Sequence, residues 1–243
     1  MLTDAELQRY KTQIRILSET GQNRLKDTKV FVAGAGGLGS AVSTYLVAAG
    51  IGKIKLVDED RVELSNLNRQ ILHWEKDRGR RKVVSAEEKL RGLNPCCEVR
   101  GLSENINESN VDDLADDCAV IVDAADNYPT RFLLNEVAVA KNIPLFHGAV
   151  HGFYGQTTTI IPGRTACLRC IFPEDPPPAD FPVVGVSCGI IGCIQAAEVI
   201  KYVTGKGDLL ANRLLMWDGL KAAMEIVAVE QNPGCEVCQK GQT

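Results

Sequence analysis

The sequence has no surplus of basic charge, and its N-terminal segment has no apolar signal core. Lysine and arginine total 27 residues against 31 aspartate and glutamate residues, which gives a formal net charge of −4 at pH 7. This balance gives no support to broad binding of nucleic acid or of anionic membranes. The segment MLTDAELQRYKTQ is polar, and we identify no apolar run as long as a membrane span. We therefore expect a cytoplasmic protein without nucleic-acid or membrane partners.

Histidine is also scarce, with only three residues in a chain of 243. None of the three stands in a pattern that pairs a nucleophile with a base. His73 follows a polar segment that it can help to order, and His147 and His151 flank a predicted strand end. We expect structural or supporting roles for them, because an isolated histidine is weak evidence for catalysis.

A strand-like segment, VFVA, runs directly into the glycine-rich sequence GAGGLG and then into a helical pattern. In this setting Gly34 allows a tight turn, Gly36 lets the backbone approach a phosphate, and Gly39 lets the helix pack against the sheet. The helix N-terminus adds N–H groups that bind anions. Asp58 ends the next predicted strand, where a carboxylate can accept hydrogen bonds from a ribose. The pattern predicts a nucleotide site but does not choose between a nicotinamide dinucleotide and ATP.

Strands and helices alternate up to about residue 150. Strands are predicted at 30–33, 53–60, 118–127 and 143–150, and helices at 37–50, 79–94 and 130–142. This alternation predicts an α/β fold with a mostly parallel sheet covered by helices on both faces. The later sequence FYGQTTTIIP predicts antiparallel strands, and a helix follows at 189–205.

We divide the chain into three parts of one domain. Residues 1–28 form a predicted N-terminal helical arm, residues 29–150 the nucleotide-binding core, and residues 151–243 a C-terminal part that bears the cysteine pairs. The length of the chain is sufficient for one large core.

The segment 58–82 is too polar for a buried element, and it contains Arg69 and Lys82. A dehydrogenase does not need these cations, whereas an enzyme that breaks a triphosphate needs positive charge at the leaving group. Asp126 lies at the polar end of the predicted strand 118–127, where it can hold Mg²⁺ against phosphates. The alternatives are solvated surface cations at Arg69 and Lys82, and a helix N-cap at Asp126 or Asn127.

Four of the nine cysteines form two CxxC pairs, Cys167 with Cys170 and Cys235 with Cys238. Four thiolates suit a tetrahedral zinc ion, and a site closed by four sulfurs is structural. Zinc would then pin the C-terminus to the body of the protein. Two unrelated reduced pairs, or an iron–sulfur cluster, are the alternatives.

These motifs occur together in one family. The sequences GAGGLGS, DEDRVELSNLNRQ, GRRKV, DAADN and IQAAEVIK, with the paired CxxC motifs, resemble the MoeB, ThiF and HesA adenylating enzymes for ubiquitin-like sulfur carriers. The resemblance extends from about residue 9 to residue 238. It implies a homodimer with a Rossmann-like sheet, a C-terminal antiparallel region and a zinc staple.

The resemblance also implies a reaction, namely adenylation by ATP of the C-terminal Gly-Gly carboxylate of a small sulfur carrier. Mg²⁺ and a structural Zn²⁺ are the implied metals, and a sulfurtransferase or cysteine desulfurase is an implied partner in molybdopterin or thiamine biosynthesis. Arg69, Lys82 and Asp126 would act on the phosphates and on Mg²⁺. The residues implied for nucleotide binding are Gly34, Gly36, Gly37, Gly39, Asp58, Asp60, Asn66, Arg69, Gln70, Lys82 and Asp126.

Three other functions stay open. They are an NAD-dependent oxidoreductase on the same core, a non-catalytic module that only holds a carrier, and a relative that adenylates a different protein or peptide C-terminus. Intact Arg69, Lys82 and Asp126 argue against the non-catalytic module. Zinc ligands in place of a second catalytic domain argue against the oxidoreductase.

The chain departs from the family pattern at two places. Thr12 stands where the family often has an arginine that reaches into the partner's site. Either Lys11 or Arg15 replaces that arginine, or the contact with the partner is absent. A cysteine that many members carry ahead of the GV sequence is absent, whereas Cys188 lies just downstream. We expect Cys188 near a helix start, where a lowered thiol pKa favours a nucleophilic thiolate; the alternative is a small buried core residue.

A proline-rich, acidic segment occupies residues 173–182. Its composition predicts an exposed loop. Because long loops beside a site often act as lids, we expect this loop to cover the tail of the carrier.

Overall fold

The computed structural model describes residues 1–174 and 182–240. In these ranges one eight-stranded sheet forms the centre of the molecule, and nine α-helices accompany it. The strands are Lys29–Ala33 (β1), Lys53–Val57 (β2), Glu98–Leu102 (β3), Val120–Asp123 (β4), Leu145–His151 (β5), Tyr154–Ile160 (β6), Arg213–Asp218 (β7) and Ala223–Ala228 (β8). The helices are Asp4–Arg9 (α1), Lys11–Asp27 (α2), Gly37–Ala49 (α3), Lys82–Leu93 (α4), Val111–Ala115 (α5), Tyr128–Ala140 (α6), Leu168–Ile171 (α7), Gly185–Thr204 (α8) and Glu236–Lys240 (α9).

The sheet joins a parallel half to an antiparallel half. Its strand order is β3-β2-β1-β4-β5-β6-β7-β8. Neighbouring strands from β3 to β5 are parallel, and those from β5 to β8 are antiparallel. The predicted fold class, a mostly parallel α/β sheet followed by antiparallel strands, is confirmed. The division of the chain at residues 28 and 150 stays a prediction.

The strand order reverses between β1 and β4. From β1 the chain builds outwards to β2 and β3, and it then places β4 on the opposite side of β1. At such a reversal the connections leave a crevice at the carboxyl ends of the strands. The glycine loop follows β1 and the DAADN segment ends β4, so both meet at this crevice.

Both faces of the parallel half are buried. Alternate residues of β1 point to opposite faces of the sheet, and each set packs into a different core. Val30 and Val32 pack with residues of α3, α4 and α8, whereas Phe31 and Ala33 pack with residues of α5 and α6. All four side chains are fully buried. Two-sided burial explains why this strand reads as a continuous apolar run instead of an alternating one.

Helix α8 lies in the core. By length and composition it is apolar enough to cross a membrane, so the expectation that no such run exists is wrong. It packs against α3, β5 and β6 so closely that a Cβ on Gly192 would lie 2.8 Å from Ala41 Cβ. Its buried Glu198 accepts hydrogen bonds from Thr159 Oγ1 (2.6 Å) and the Leu210 N–H (2.7 Å). These contacts are those of a helix inside a globular fold.

Several elements differ from the sequence expectations. Strand β2 ends at Val57 and not at residue 60, β4 spans Val120–Asp123 and not 118–127, and α4 begins at Lys82 and not at residue 79. Helix α8 begins at Gly185 instead of residue 189, which places Cys188 inside its first turn, and it ends at left-handed Gly205 (φ 69°) as expected. Strand β3 was not predicted, because an edge strand with the sequence EVRGL lacks an apolar run. Helix α2 is interrupted at Ser18, which has φ 68° and ψ 164°, so the arm is not one continuous helix.

Candidate nucleotide site

A cavity of about 1190 Å³ opens at the carboxyl ends of the parallel strands and continues across β6, β7 and β8. The glycine loop and the DAADN segment line one end, and Tyr154, Met216 and Met224 line the other. The sequence-predicted residues in its wall are Gly34, Gly36, Gly37, Asp58, Asp60, Arg69, Gln70, Lys82, Asp126 and Cys188. The predicted Gly39 and Asn66 are not among the lining residues.

The glycine loop is packed so tightly that three of its positions exclude a side chain. Gly34 has φ 107°, and a Cβ there would lie 2.6 Å from the Ala124 carbonyl oxygen. A Cβ on Gly39 would overlap the Gly34 carbonyl, and one on Gly37 would lie 2.6 Å from Cys188 Sγ. Gly36 faces more open space towards the cavity. A phosphate can therefore approach the backbone at this residue and the start of α3.

Asp58 holds the glycine loop and also faces the cavity. Its Oδ2 accepts a hydrogen bond from the Ala35 N–H at 2.8 Å, and its Oδ1 accepts one from the Asp60 N–H at 2.9 Å. A carboxylate offers about four acceptor positions, so Asp58 retains capacity for ribose hydroxyls. The same side chain can therefore order the loop and bind a ligand.

Arg69 and Gln70 face the cavity, whereas Asn66 orders the segment that carries them. Arg69 donates to the Ser65 carbonyl (2.9 Å) and to Asn68 Oδ1 (3.1 Å). Both acceptors are uncharged, so neither of them neutralises the charge of the guanidinium. Gln70 is buried, and among the described residues its Oε1 has no hydrogen-bond partner. Asn66 Oδ1 accepts from the Glu63 N–H at 3.0 Å. A ligand in the cavity could satisfy the Gln70 oxygen.

Lys82 begins α4 as a buried cation. Its side chain is 7% exposed, and its Nζ donates to Asp60 Oδ2 at 2.8 Å, whereas the Asp60 side chain is 59% exposed. The Lys82 N–H also donates to the Asp60 carbonyl at 2.9 Å. Asp60 therefore holds the lysine at the cavity wall. The alternative of Lys82 as a solvated surface cation does not fit this burial.

Asp126 is exposed at the cavity, and a neighbour performs the capping role considered for it. Asn127 is the N-cap of α6, where its Oδ1 accepts from the Thr130 N–H at 2.9 Å. Asp126 Oδ1 accepts from Asn127 Nδ2 at 3.2 Å. The Asp126 carboxylate is thus not used for capping and can bind a cation.

A buried cluster beneath Asp126 was missed at the sequence level. Asp123 Oδ2 lies 2.7 Å from His147 Nδ1 and 3.2 Å from Arg131 Nη1. Burial by itself would raise the pKa of Asp123, but the charge of Arg131 and the His147 hydrogen bond outweigh it and lower the pKa. Burial lowers the pKa of His147 despite its contact with Asp123. The cluster is therefore an ionised carboxylate, a guanidinium and a neutral imidazole that donates from Nδ1.

His73 connects the glycine loop to α4. Its Nε2 lies 2.9 Å from the Ala35 carbonyl oxygen, and its Nδ1 lies 3.0 Å from Ser85 Oγ. Burial lowers the pKa of His73, which favours a neutral ring that donates from Nε2 to the Ala35 carbonyl and accepts at Nδ1 from the Ser85 hydroxyl. The expected ordering role of His73 agrees with this geometry.

Cys188 lies in the cavity wall against the glycine loop. It is 3% exposed, and burial raises the pKa of its thiol although the charge of Arg69 acts in the opposite direction. The expected lowering of the pKa at the helix start is therefore not observed. Its close packing against Gly37 fits the alternative of a small buried residue.

The two CxxC pairs form one four-sulfur cluster. The ligand atoms of Cys167, Cys170, Cys235 and Cys238 all lie within 4.8 Å of one another. The cluster joins α9 to α7, and the Leu168 N–H of α7 donates to Asn135 Oδ1 of α6 at 2.8 Å. This arrangement fits one metal ion and excludes two unrelated pairs.

Two other expectations concern surface segments. Lys11, Thr12 and Arg15 are all exposed on α2, where each is accessible to another molecule. The expected lid at 173–182 falls mostly outside the described residues, because 175–181 are not among them.

An open sheet whose strand order reverses beside a glycine-rich loop, with an acidic residue after the second strand, defines a nucleotide-binding α/β protein. Two cations, Arg69 and Lys82, and the exposed Asp126 carboxylate line this crevice, a combination that fits a ligand carrying phosphates. The chain belongs to the ThiF family, whose sequence model matches residues 10–237. The resemblance stated from the motifs is thereby confirmed.

Named relatives match the chain over almost its full length. It is 43% identical to the SAMP-activating enzyme E1 of Haloferax volcanii, over 99% of this chain and 92% of that protein. It is 40% identical to the sulfur carrier protein adenylyltransferase of Thermus thermophilus, over 97% and 92% of the two chains. It is also 40% identical to adenylyltransferase and sulfurtransferase MOCS3 of Drosophila sechellia, but it spans only 54% of that longer protein.

Solved structures share the fold. The crystal structure of Escherichia coli MccB with ATP has a TM-score of 0.84 and 25% identity, and the match covers 95% of this chain and 74% of that one. The PaaA structure has a TM-score of 0.84 at 23% identity, over 95% and 76% of the two chains. The PaaA match shows likeness of fold alone.

Proposed function

We propose that this protein uses ATP to adenylate the C-terminal Gly-Gly carboxylate of a small ubiquitin-like sulfur carrier. The observation that carries the proposal is the continuous cavity. One end brings Arg69, Lys82 and Asp126 together, and the other opens onto exposed apolar side chains of β7 and β8. The names of the Haloferax and Thermus relatives, which match over most of their length, support it.

In the proposed reaction, a carboxylate oxygen of the carrier attacks the α-phosphorus of ATP. A new O–P bond gives the acyl-adenylate, while the bond to the bridging oxygen breaks and pyrophosphate leaves with the electron pair. Negative charge grows on the leaving group, so Arg69 and Lys82 stabilise the transition state. The start of α3 binds phosphate and Asp58 binds the ribose. Cys188 has no part in this step.

Two metals belong to the proposal. The exposed Asp126 carboxylate fits Mg²⁺, which binds proteins through one or two carboxylates and otherwise through phosphates and water. Mg²⁺ held there would neutralise phosphate charge. The closed four-sulfur cluster fits structural Zn²⁺. Metal analysis is expected to find one zinc per chain, and iron in its place would assign the cluster to iron–sulfur chemistry.

The proposal extends to partners and location. Ile16 and Tyr45 are exposed, at 72% and 56%, and such apolar side chains fit the interface of a homodimer. We propose that a sulfurtransferase or cysteine desulfurase supplies sulfur to the adenylated carrier, for molybdopterin or thiamine synthesis. We place the protein in the cytoplasm, where a four-thiolate metal site stays reduced.

Carrier-dependent exchange between ATP and pyrophosphate tests the proposal. Each Gly-Gly-ended carrier of the same organism is added with Mg²⁺, and the exchange is expected to require one carrier and to be lost in Asp126→Ala. Asp113→Ala, which changes an exposed aspartate of α5, serves as the control.

Two results would reassign the function. Binding of NAD without exchange by any carrier would overturn adenylation and favour an oxidoreductase. Exchange that depends on a peptide instead of a carrier would replace the proposed substrate.

A further inference from the structure

Arg131 and Asp123 form a buried ion pair directly beneath the segment that carries Asp126. Their relative exposures are 5% and 0%, and Arg131 Nη1 lies 3.2 Å from Asp123 Oδ2. Arg131 also lines the cavity. Because its charge is already compensated by Asp123, this arginine differs from Arg69 and is poorly suited to bind a phosphate by charge alone.

The pair holds both backbone polar groups of Ala125. The Ala125 N–H donates to Asp123 Oδ1 at 3.1 Å, and the Ala125 carbonyl accepts from Arg131 Nη2. Ala125 directly precedes Asp126, whose own side chain is exposed and bonds to its neighbour Asn127. The position of the Asp126 carboxylate therefore depends on the backbone fixed beneath it.

The same pair is tied to a second strand. Arg131 Nη1 donates to the Gly148 carbonyl of β5, and His147 Nδ1 donates to Asp123 Oδ2 at 2.7 Å. Gly148 packs against Gln195 of α8 so closely that a Cβ there would lie 2.5 Å from Gln195 Cδ. The end of β4, the first turn of α6 and β5 are thus joined through one guanidinium.

We propose that Arg131 is a positioning residue that presents the Asp126 carboxylate to the magnesium ion of the bound nucleotide. The inference rests on the proposed function, because it needs a magnesium–nucleotide ligand in the cavity. It requires the planar guanidinium, which donates to two carbonyls and a carboxylate in fixed directions. A lysine at this position would keep the charge that pairs with Asp123 but lose that fixed geometry.

The test is calorimetric titration of ATP into Arg131→Lys protein at a series of Mg²⁺ concentrations, without carrier. We expect the Mg²⁺ concentration that supports half-maximal ATP affinity to rise about tenfold or more, the usual effect of losing a residue that orients a metal ligand. Mn²⁺ is softer than Mg²⁺ and binds such ligands differently. Replacing Mg²⁺ by Mn²⁺ is therefore expected to restore part of the ATP affinity of the variant. A purely structural role would instead lower the fraction of protein that binds and leave the Mg²⁺ dependence unchanged.

Arg91→Lys is the matched control. Arg91 donates to the Val99 carbonyl at 2.9 Å and does not line the cavity, so its variant should keep the wild-type Mg²⁺ dependence. If Arg131→Lys does not fold, amide hydrogen exchange of wild-type Ala125 tests the premise that the backbone before Asp126 is held in place. The Ala125 N–H is expected to exchange slowly without nucleotide, and exchange as fast as that of an unprotected loop would overturn the inference.

The two proposals fail in different ways. Wild-type protein that binds no ATP at any Mg²⁺ concentration refutes the proposed function, and the inference falls with it. Wild-type binding that depends on Mg²⁺, together with an unchanged dependence in folded Arg131→Lys protein, refutes the positioning role alone.

Discussion

The two halves of the sheet differ in whether their side chains pair within the chain or are exposed to solvent. Around the parallel half, buried charged groups pair within the chain: Lys82 pairs with Asp60, and Arg131 pairs with Asp123. In the antiparallel half, all six residues of β8 are exposed, and Met224 is 54% exposed. The first arrangement is typical of a preformed site for a small ligand, and the second of a surface that another macromolecule covers.

One cavity connects these halves, and β5 belongs to both of them. A small ligand at the glycine loop and a polypeptide lying over β6 to β8 would therefore meet near the middle of the cavity. The difference between the halves separates two kinds of binding energy. Changes in the parallel half should act on ATP, and changes in the antiparallel half should act on the carrier.

The largest effect is expected from Lys82→Met in the parallel half. This change removes a buried cation from the cavity wall, and we expect carrier-dependent exchange to fall by roughly 10²–10³-fold. Lys55→Met is the control, because Lys55 donates to the Leu114 carbonyl at 2.8 Å and does not line the cavity. Near-normal exchange in Lys82→Met would show that the lysine serves only as the partner of Asp60.

The next largest effect concerns the cysteine cluster. Cys238→Ser removes one of the four sulfur ligands, and the metal content should fall well below one per chain. A decrease of about 3 kcal/mol in the free energy of unfolding would lower the thermal unfolding midpoint by about 6–12 °C for a chain of this size. Metal analysis and thermal unfolding measure both effects. Cys96→Ser, which changes an exposed cysteine, is the control. Full metal content in Cys238→Ser would show that Cys238 is not a metal ligand.

The sequence predicts those parts of the site whose chemistry is local. The glycine spacing fixes a tight turn, and Asp58 and Asp126 follow strands, so their place at the crevice follows from topology alone. The CxxC spacing likewise predicts metal ligands, although only the fold brings Cys167 Sγ and Cys235 Sγ within 3.7 Å of each other. The sequence does not separate Asp126 from Asn127 as the N-cap.

The buried cluster could not be predicted in the same way. Asp123 lies inside the predicted strand 118–127, and Arg131 lies inside the predicted helix 130–142, so no local pattern singles out either residue. Their contact with His147 depends on the pairing of β4 with β5, which sets Asp123 opposite His147. Local sequence patterns do not show which residues of two paired strands lie opposite each other. The role proposed for Arg131 could therefore be inferred only from the fold.

A smaller effect is expected at Asp77, which fixes the segment between β2 and α4. Burial alone would raise the pKa of Asp77, but the hydrogen bonds from Lys89, the Trp74 N–H and Arg80 outweigh it and lower the pKa from 3.8 to about 2. Because the folded-state pKa is depressed, this stabilisation is complete above the unfolded-state pKa. It is lost as the pH falls towards about 2.

Asp77→Asn should therefore cost about 2 kcal/mol of unfolding free energy at neutral pH. It should also flatten the acid dependence of stability between the two pKa values. Denaturant unfolding at neutral and acid pH measures both, with Asp113→Asn on exposed α5 as the control. An unchanged acid profile would mean that other carboxylates carry the effect.

The smallest effect tests the antiparallel half directly. Met216 lines the cavity on β7, is 44% exposed, and lies opposite Glu225 of β8. A lysine at this position gains a cross-strand ion partner, so Met216→Lys should keep the strand pairing while it replaces apolar surface by charge. We expect the carrier KM to rise about tenfold, or about 1.4 kcal/mol, with ATP affinity unchanged.

Val84→Lys makes the same change on an exposed apolar residue of α4 that does not line the cavity, so neither constant should move. A Met216→Lys protein with weakened ATP binding would show that the two halves are coupled through the cavity. A carrier KM that stays constant would mean that the carrier lies elsewhere. An effect confined to the carrier KM would show that carrier binding and ATP binding are energetically independent, although both sites lie on the same sheet.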